Sequence, residues 1–182
     1  FVDRGLANIA KNLQRSVDKG KLAADEKDRI LGRITTSVNL ADMARADYVV
    51  EAASENEAIK FKIFQTLEEV CPPHVILASN TSSIPIGRIA SNTRRPDKVI
   101  GMHFMNPVPV MKLVEVIPGL ATSEETFNTT WALSEKFGKQ VSELTYLDIC
   151  EYRKNYRLSS IEAESLKLFI NSYLGKDMDI MI

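Results

Sequence analysis

Short apolar runs alternate with amphipathic helical segments along most of this chain, and that alternation predicts an α/β fold built on a parallel sheet. Two further observations support it. The apolar runs have the length of strands buried on both faces, and the segments between them carry apolar residues at helical spacing and stop at Gly or Pro. At 182 residues the chain has room for one core and at most one and a half domains.

The elements follow in order. Val2, Leu6, Ile9, Leu13 and Val17 recur every three or four residues and predict a helix with one apolar stripe, stopped near Lys19-Gly20. A second helix is predicted from Ala23 to Ile34, with acids early and basic residues late, as the helix dipole favours. Residues Ile34 to Val38 read as an edge strand, and Asp47 to Ala52 as a buried one. Glu57 to Cys71 reads as a helix with Ile59, Ile63, Phe64, Leu67 and Val70 on its apolar side, ended by Pro72-Pro73. Then come a strand from His74 to Ser79, a short helix from Pro85 to Ala90, and strands at Val99 to Phe104 and Lys112 to Ile117. Ser123-Glu124-Glu125 opens a helix that runs to Phe137 and stops at Gly138. Further on, Ser159-Ser160-Ile161-Glu162 reads as a capping box for a helix reaching Leu174.

Bulk properties exclude several classes. Lys plus Arg number 23 against 24 for Asp plus Glu, a net charge of -1, so nothing draws the chain to nucleic acid or anionic lipid. No apolar run is long enough to span a membrane, and Phe1-Val2-Asp3-Arg4 does not read as a signal peptide. Cys71 and Cys150 lack metal-ligand spacing, so no metal is expected and a reducing compartment is favoured over a disulfide. The expectation is a soluble intracellular protein, with cytoplasm, mitochondrial matrix and peroxisome left open.

The chemistry concentrates between Asn80 and Glu115. His103, one of only two histidines, stands near the end of the run Val99-Ile100-Gly101-Met102 and just before an Asn106-Pro107 turn. A second apolar run then carries a single acid, Glu115, twelve residues on, which suits a strand end, a turn and a returning strand. With the hydroxyl-rich Asn80-Thr81-Ser82-Ser83, these are the parts of a carboxylate-oriented imidazole acid/base site. His74, at a helix-to-strand turn, reads as a surface residue. Arg94, Arg95, Lys98 and Lys112 read as a solvated basic face, with contact to an anionic ligand as the competing reading.

Three motifs carry a resemblance: Val49-Val50-Glu51-Ala52 continuing to Glu55, Ala78-Ser79-Asn80-Thr81-Ser82-Ser83, and the run from His103 through Asn106-Pro107-Val108-Pro109-Val110-Met111-Lys112 to Glu115. In these, from about residue 1 to about residue 139, the chain resembles the NAD-dependent L-3-hydroxyacyl-CoA dehydrogenases, the short kind often called 3-hydroxybutyryl-CoA dehydrogenases. The resemblance implies a Rossmann-type doubly wound sheet, with the first two helices forming a projecting hairpin. It implies oxidation of an (S)-3-hydroxyacyl-CoA to the 3-oxoacyl-CoA with NAD, as in fatty-acid β-oxidation or short-chain acyl-CoA metabolism, and a homo-oligomer assembled through a helical domain.

Residue by residue, the resemblance makes His103 the catalytic acid/base and Glu115 its partner. It places Ser82 and Asn106 near the substrate carbonyl and the nicotinamide. It puts Ala52, Glu55 and Lys60 beside the cofactor, Ala52 because a small residue lets the cofactor approach. An ordinary hydrogen-bonded turn is the competing reading for Asn80 to Ser83, and a solvated ion pair for Glu55 and Lys60.

The family's Gly-x-Gly-x-x-Gly turn is not found: glycines at 5, 20 and 32 precede the first confident strand without clustering. The chain is therefore read as beginning after the family's first βαβ unit. Residues 1–139 are taken as a partial NAD-binding domain and 140–182 as a divergent tail in place of the helical domain. On that reading Asp47 to Ala52 becomes a bare edge, which invites association and lowers stability. The alternative function is a non-catalytic truncated product that acts only by associating with a full-length subunit.

Overall fold

The computed structural model describes residues 2–144 and 180–181. Helices α1 (Val2–Asp18) and α2 (Ala24–Gly32) form a hairpin turned by Gly20 at φ 65, and each buries one residue, Ile9 and Ile30. The sheet is built from β1 (Tyr48–Glu51), β2 (Ile76–Ser79), β3 (Val99–Phe104), β4 (Leu113–Pro118), β5 (Gln140–Glu143) and β6 (Ile180–Met181), in the order β5-β4-β3-β2-β1-β6. Helices α3 (Glu57–Val70) and α4 (Ile86–Ala90) lie between the first strands, and α5 (Glu124–Lys136) between β4 and β5.

Strand alternation divides the core into two layers. Tyr48, Val50, Ile76, Ala78, Ile100, Met102, Phe104, Val114 and Val116 pack with Leu133 and Phe137 from α5 and its C-cap. Val49, Leu77, Val99 and Ile117 point the other way and pack with Phe64 and Leu67 of α3 and Ile86 and Ile89 of α4. His103 and Glu115 share strand parity with Val99 and Ile117, so the period of two sends them to the α3/α4 side. Gly101 permits the tight β3–β4 pairing there, because an added Cβ would sit 2.7 Å from the Ile117 Cβ.

The helix ends follow their sequence signals. Asn56 caps α3 by accepting from Ile59 N at 3.2 Å, and Ser123 caps α5 by accepting from Thr126 N at 3.2 Å. Gly138 leaves α5 at φ 69, a conformation that suits glycine.

Several expectations need correction. The sheet is mixed: β3 and β4 run antiparallel, while the other neighbours pair in parallel. The short link Met105–Lys112 cannot carry the long crossover that a parallel neighbour requires. Ile34 to Val38 forms no strand; Val38 is exposed, and the segment bonds locally, with Ser37 Oγ accepting from Asn39 N at 2.9 Å and donating to Asp42 Oδ2 at 2.5 Å. On α3 the buried face takes Lys60 and leaves Ile59 half exposed. The bare edge expected at β1 is partly covered, since Tyr48 and Val49 pair in parallel with Ile180 and Met181. Strand β5 lies past residue 139 yet belongs to the sheet. The helix expected from Ser159 to Leu174, and Cys150, fall outside the described residues. Cys71 is buried with a free thiol. Among the described residues, no helix is long and apolar enough to cross a membrane.

Candidate active site

The carboxyl ends of β1, β2 and β3 converge on a polar cluster fed by all three strands. His103 and Glu115 are direct partners across the β3–β4 ladder, and His103 Nδ1 lies 2.7 Å from Glu115 Oε2. The His103 side chain is 5% exposed and that of Glu115 14%, so the pair works in a dry environment. A carboxylate only accepts, so a proton sits on Nδ1, and in the neutral ring the lone pair is then on Nε2. That Nε2 is buried without a hydrogen-bond partner among the described residues. Buried polar atoms are rarely left this way, and each such atom calls for an explanation.

Asn80 ties the end of β2 to both neighbours. Its backbone N–H donates to Glu51 O at 2.8 Å, and its Oδ1 accepts from Phe104 N at 2.8 Å, one residue past the histidine. Glu55 grips the following loop: its carboxylate accepts from Thr81 Oγ1 (2.7 Å), Ser82 N (2.8 Å), Ser82 Oγ (3.2 Å) and Ser83 Oγ (3.2 Å). The Asn80 to Ser83 segment is thus a turn fastened from both sides, with Ser82 on its rim. Ala52 follows β1 directly and is half-buried. Asn106 is exposed at the head of the β3–β4 connection, in a cis peptide with Pro107.

Lys60 differs most from expectation. It does not form a solvated pair with Glu55. Its Nζ lies 2.6 Å from Glu51 Oε2, with both side chains 2% exposed, and 3.4 Å from Ser79 Oγ. Ser79 also donates to Glu51 Oε2 at 2.8 Å, and Ala53 N donates to Oε1 at 2.7 Å. Strand register explains the meeting, because Glu51 and Ser79 are paired residues of β1 and β2. The buried Lys60–Glu51–Ser79 cluster fastens the strand ends from beneath, so its ammonium reaches the site only through its partners.

Glu51 and Asn80 lie inside the motifs, yet no role attaches to them on sequence grounds. Glu51 carried a signal, as a lone acid between Val50 and Ala52, whereas Asn80, between Ser79 and Thr81, had no such contrast to mark it. Three of the four residues read as a basic face are occupied elsewhere, and Lys112 is exposed. Arg95 donates to the carbonyls of Pro72 and Glu68 at 2.6 Å each and of Cys71 at 3.0 Å, closing the end of α3. Arg94 faces Glu68, and Lys98 bonds Glu125 at 2.8 Å. His74 is exposed, away from the strand carboxyl ends. No metal-binding cluster occurs among the described residues.

Taken together, the sheet and its polar rim define a Rossmann-type α/β domain with an imidazole–carboxylate pair at the strand ends. Comparison with known proteins gives the family. The profile described as "3-hydroxyacyl-CoA dehydrogenase, NAD binding domain" matches residues 1–145, and the chain belongs to that family. It is 55% identical over 142 residues to a "Probable 3-hydroxybutyryl-CoA dehydrogenase" of Bacillus subtilis, covering 78% of this chain and 50% of that protein. Among solved structures, it superposes on the (S)-3-hydroxybutyryl-CoA dehydrogenase of Ralstonia eutropha with a TM-score of 0.77 and 44% identity, covering 79% of this chain and 51% of that one. A 3-hydroxybutyryl-CoA dehydrogenase from Escherichia coli gives a TM-score of 0.78 at 42% identity, covering 79% and 30%. The chain spans about half the length of the first curated relatives it matches.

The nicotinamide end of a dinucleotide fits the residues present. Ala52, at the end of β1, is small and packs against the core, and the unpartnered His103 Nε2 is an acceptor position in the neutral ring.

Proposed function

We propose that this chain carries the proton-transfer half of an NAD-dependent dehydrogenase that interconverts (S)-3-hydroxyacyl-CoA and 3-oxoacyl-CoA. The observation that supports it best is the buried His103, held by Glu115 at 2.7 Å with its other nitrogen unpartnered. Nε2 takes the proton of the substrate 3-hydroxyl, and Glu115 stabilises the imidazolium that results; in the reverse direction the ring returns the proton. NAD, when bound, supplies the hydride acceptor. Asn106 donates a hydrogen bond to the 3-oxygen, and Ser82 adds one by turning its hydroxyl away from Glu55, to which it donates at 3.2 Å; both stabilise negative charge as it develops.

On this reading Ala52, Glu55 and Ser82 line the cofactor's nicotinamide end, with Asn106 opposite and Lys60 acting through Glu51. The cofactor-binding body takes in β5, so we place its boundary past Glu143 rather than at 139. Homo-oligomerisation and the acyl-CoA substrate belong to the same proposal.

The test is NADH oxidation dependent on acetoacetyl-CoA. The full chain is expected to show it, and His103→Ala to lose roughly 10²- to 10⁴-fold in kcat. Full activity in His103→Ala, or no oxidation and no NADH binding by the parent chain, would overturn the reading in favour of a non-catalytic product.

A further inference from the structure

We infer that Lys139 is a positioning residue for this site, an ammonium that holds the β3–β4 connection, and Asn106 with it, against the His103–Glu115 pair. The inference rests on the function proposed above. Lys139 follows the glycine that ends α5, and its side chain reaches back across the sheet edge. Its Nζ donates to Val108 O at 2.6 Å and to Met111 O.

Those carbonyls belong to the only chain segment linking the histidine strand to the glutamate strand. The segment has little else to hold it. Val108 is buried in the core, but Asn106, Pro107, Pro109, Val110 and Met111 are exposed. Its internal bonds are those of Val110 N and Met111 N, both onto Pro107 O at 2.9 Å. Hydrogen bonds from a charged donor are roughly twice as strong as neutral ones. One cation bridging both limbs of an exposed loop therefore sets its shape. Burial lowers the Lys139 pKa to about 8, which leaves the group mostly protonated at neutral pH.

The anchor is also well placed in the chain. Gln140 N donates to Lys112 O at 2.8 Å, so the residue after the lysine begins the β5–β4 ladder just where the loop ends. The stem of Lys139 is fixed by the sheet, and its head fixes the loop.

The experiment compares the full chain with Lys139→Met, Lys139→Gln and Lys139→Arg at pH 7. It reads backbone hydrogen exchange at Val108, Val110 and Met111, together with KM for acetoacetyl-CoA and kcat. We expect exchange at these three amides to rise at least tenfold in Lys139→Met and KM to rise at least fivefold. The Arg variant should restore both, while NADH affinity stays as in the parent. Should the Met variant not fold, Lys139→Gln is read by the same criteria.

Unchanged exchange in the loop overturns the inference. So does a loosened loop with KM and kcat unaltered, which would make the lysine merely structural. If the parent chain shows no activity at all, the proposed function falls, and the exchange data still decide whether Lys139 anchors the loop.

Discussion

A buried imidazole nitrogen without a partner costs about 1–3 kcal/mol, and His103 Nε2 is such an atom among the described residues. The fold tolerates that cost at a position where the opposite nitrogen is held at 2.7 Å by a carboxylate. Tyr48 shows the contrasting case of a buried polar group that is fully satisfied. Thr130 Oγ1 donates to Thr126 O at 2.8 Å, so the Tyr48 hydroxyl donates to Thr130 at 2.8 Å. Burial raises the Tyr48 pKa above its ordinary 10.0, the Thr130 bond opposing this only in part. The unfolded chain thus releases this proton near pH 10 while the folded chain keeps it. Stability from Tyr48 is complete below pH 10 and is lost as pH climbs toward the raised folded value. Tyr48→Phe should cost about 1 kcal/mol at neutral pH and flatten the alkaline arm of a urea-midpoint curve. An arm as steep as the parent's would show that Tyr48 does not cause it.

At the level of elements, the site depends on three strand ends being held together. Asn80 does this between β2 and β3, because its Oδ1 takes the Phe104 N–H that lies one residue past His103. Asn80→Ala leaves that buried donor unpaired, at an expected cost of about 1–3 kcal/mol. Amide exchange at Phe104 should rise well before exchange in the middle of β3. Protection at Phe104 equal to the parent's would contradict this account. Glu55 has the matching role on the other flank, binding the Thr81 to Ser83 loop through four contacts.

Across the whole molecule, the sheet is covered on both faces, yet it keeps an ion pair on the α3/α4 side. Glu51 and Lys60 are each 2% exposed, and such pairs are costly to desolvate. Glu51→Gln strands the Lys60 charge inside and is expected to cost about 3–5 kcal/mol. Replacing both partners with apolar residues of similar volume, as in Glu51→Leu with Lys60→Met, should cost less than the single change. Urea titrations of the three proteins decide it; a Glu51→Gln midpoint matching the parent's would refute the buried-charge argument.

How much of this was legible from residues alone follows from the range of the forces involved. Helical periodicity, Ser123 as an N-cap, Gly138 as a stop and the apolar runs at Val99 and Leu113 are local signals, and they placed α1, α3, α5, β3 and β4 to within a few residues. The isolation of His103 and Glu115 in apolar runs was local too, and it marked two side chains that the fold brings within 2.7 Å of each other. Ile34 to Val38 misled because a strand needs a neighbour, and no pattern within five residues reports one. Lys60 and Glu51 misled because they lie nine residues apart and meet only through the turn of α3 over β1. Likewise, Lys139 reaches the Val108 carbonyl across 31 residues. Side-chain period and capping are properties of neighbours along the chain, whereas ladder register, buried charge pairing and loop anchoring arise between segments that folding alone brings into contact.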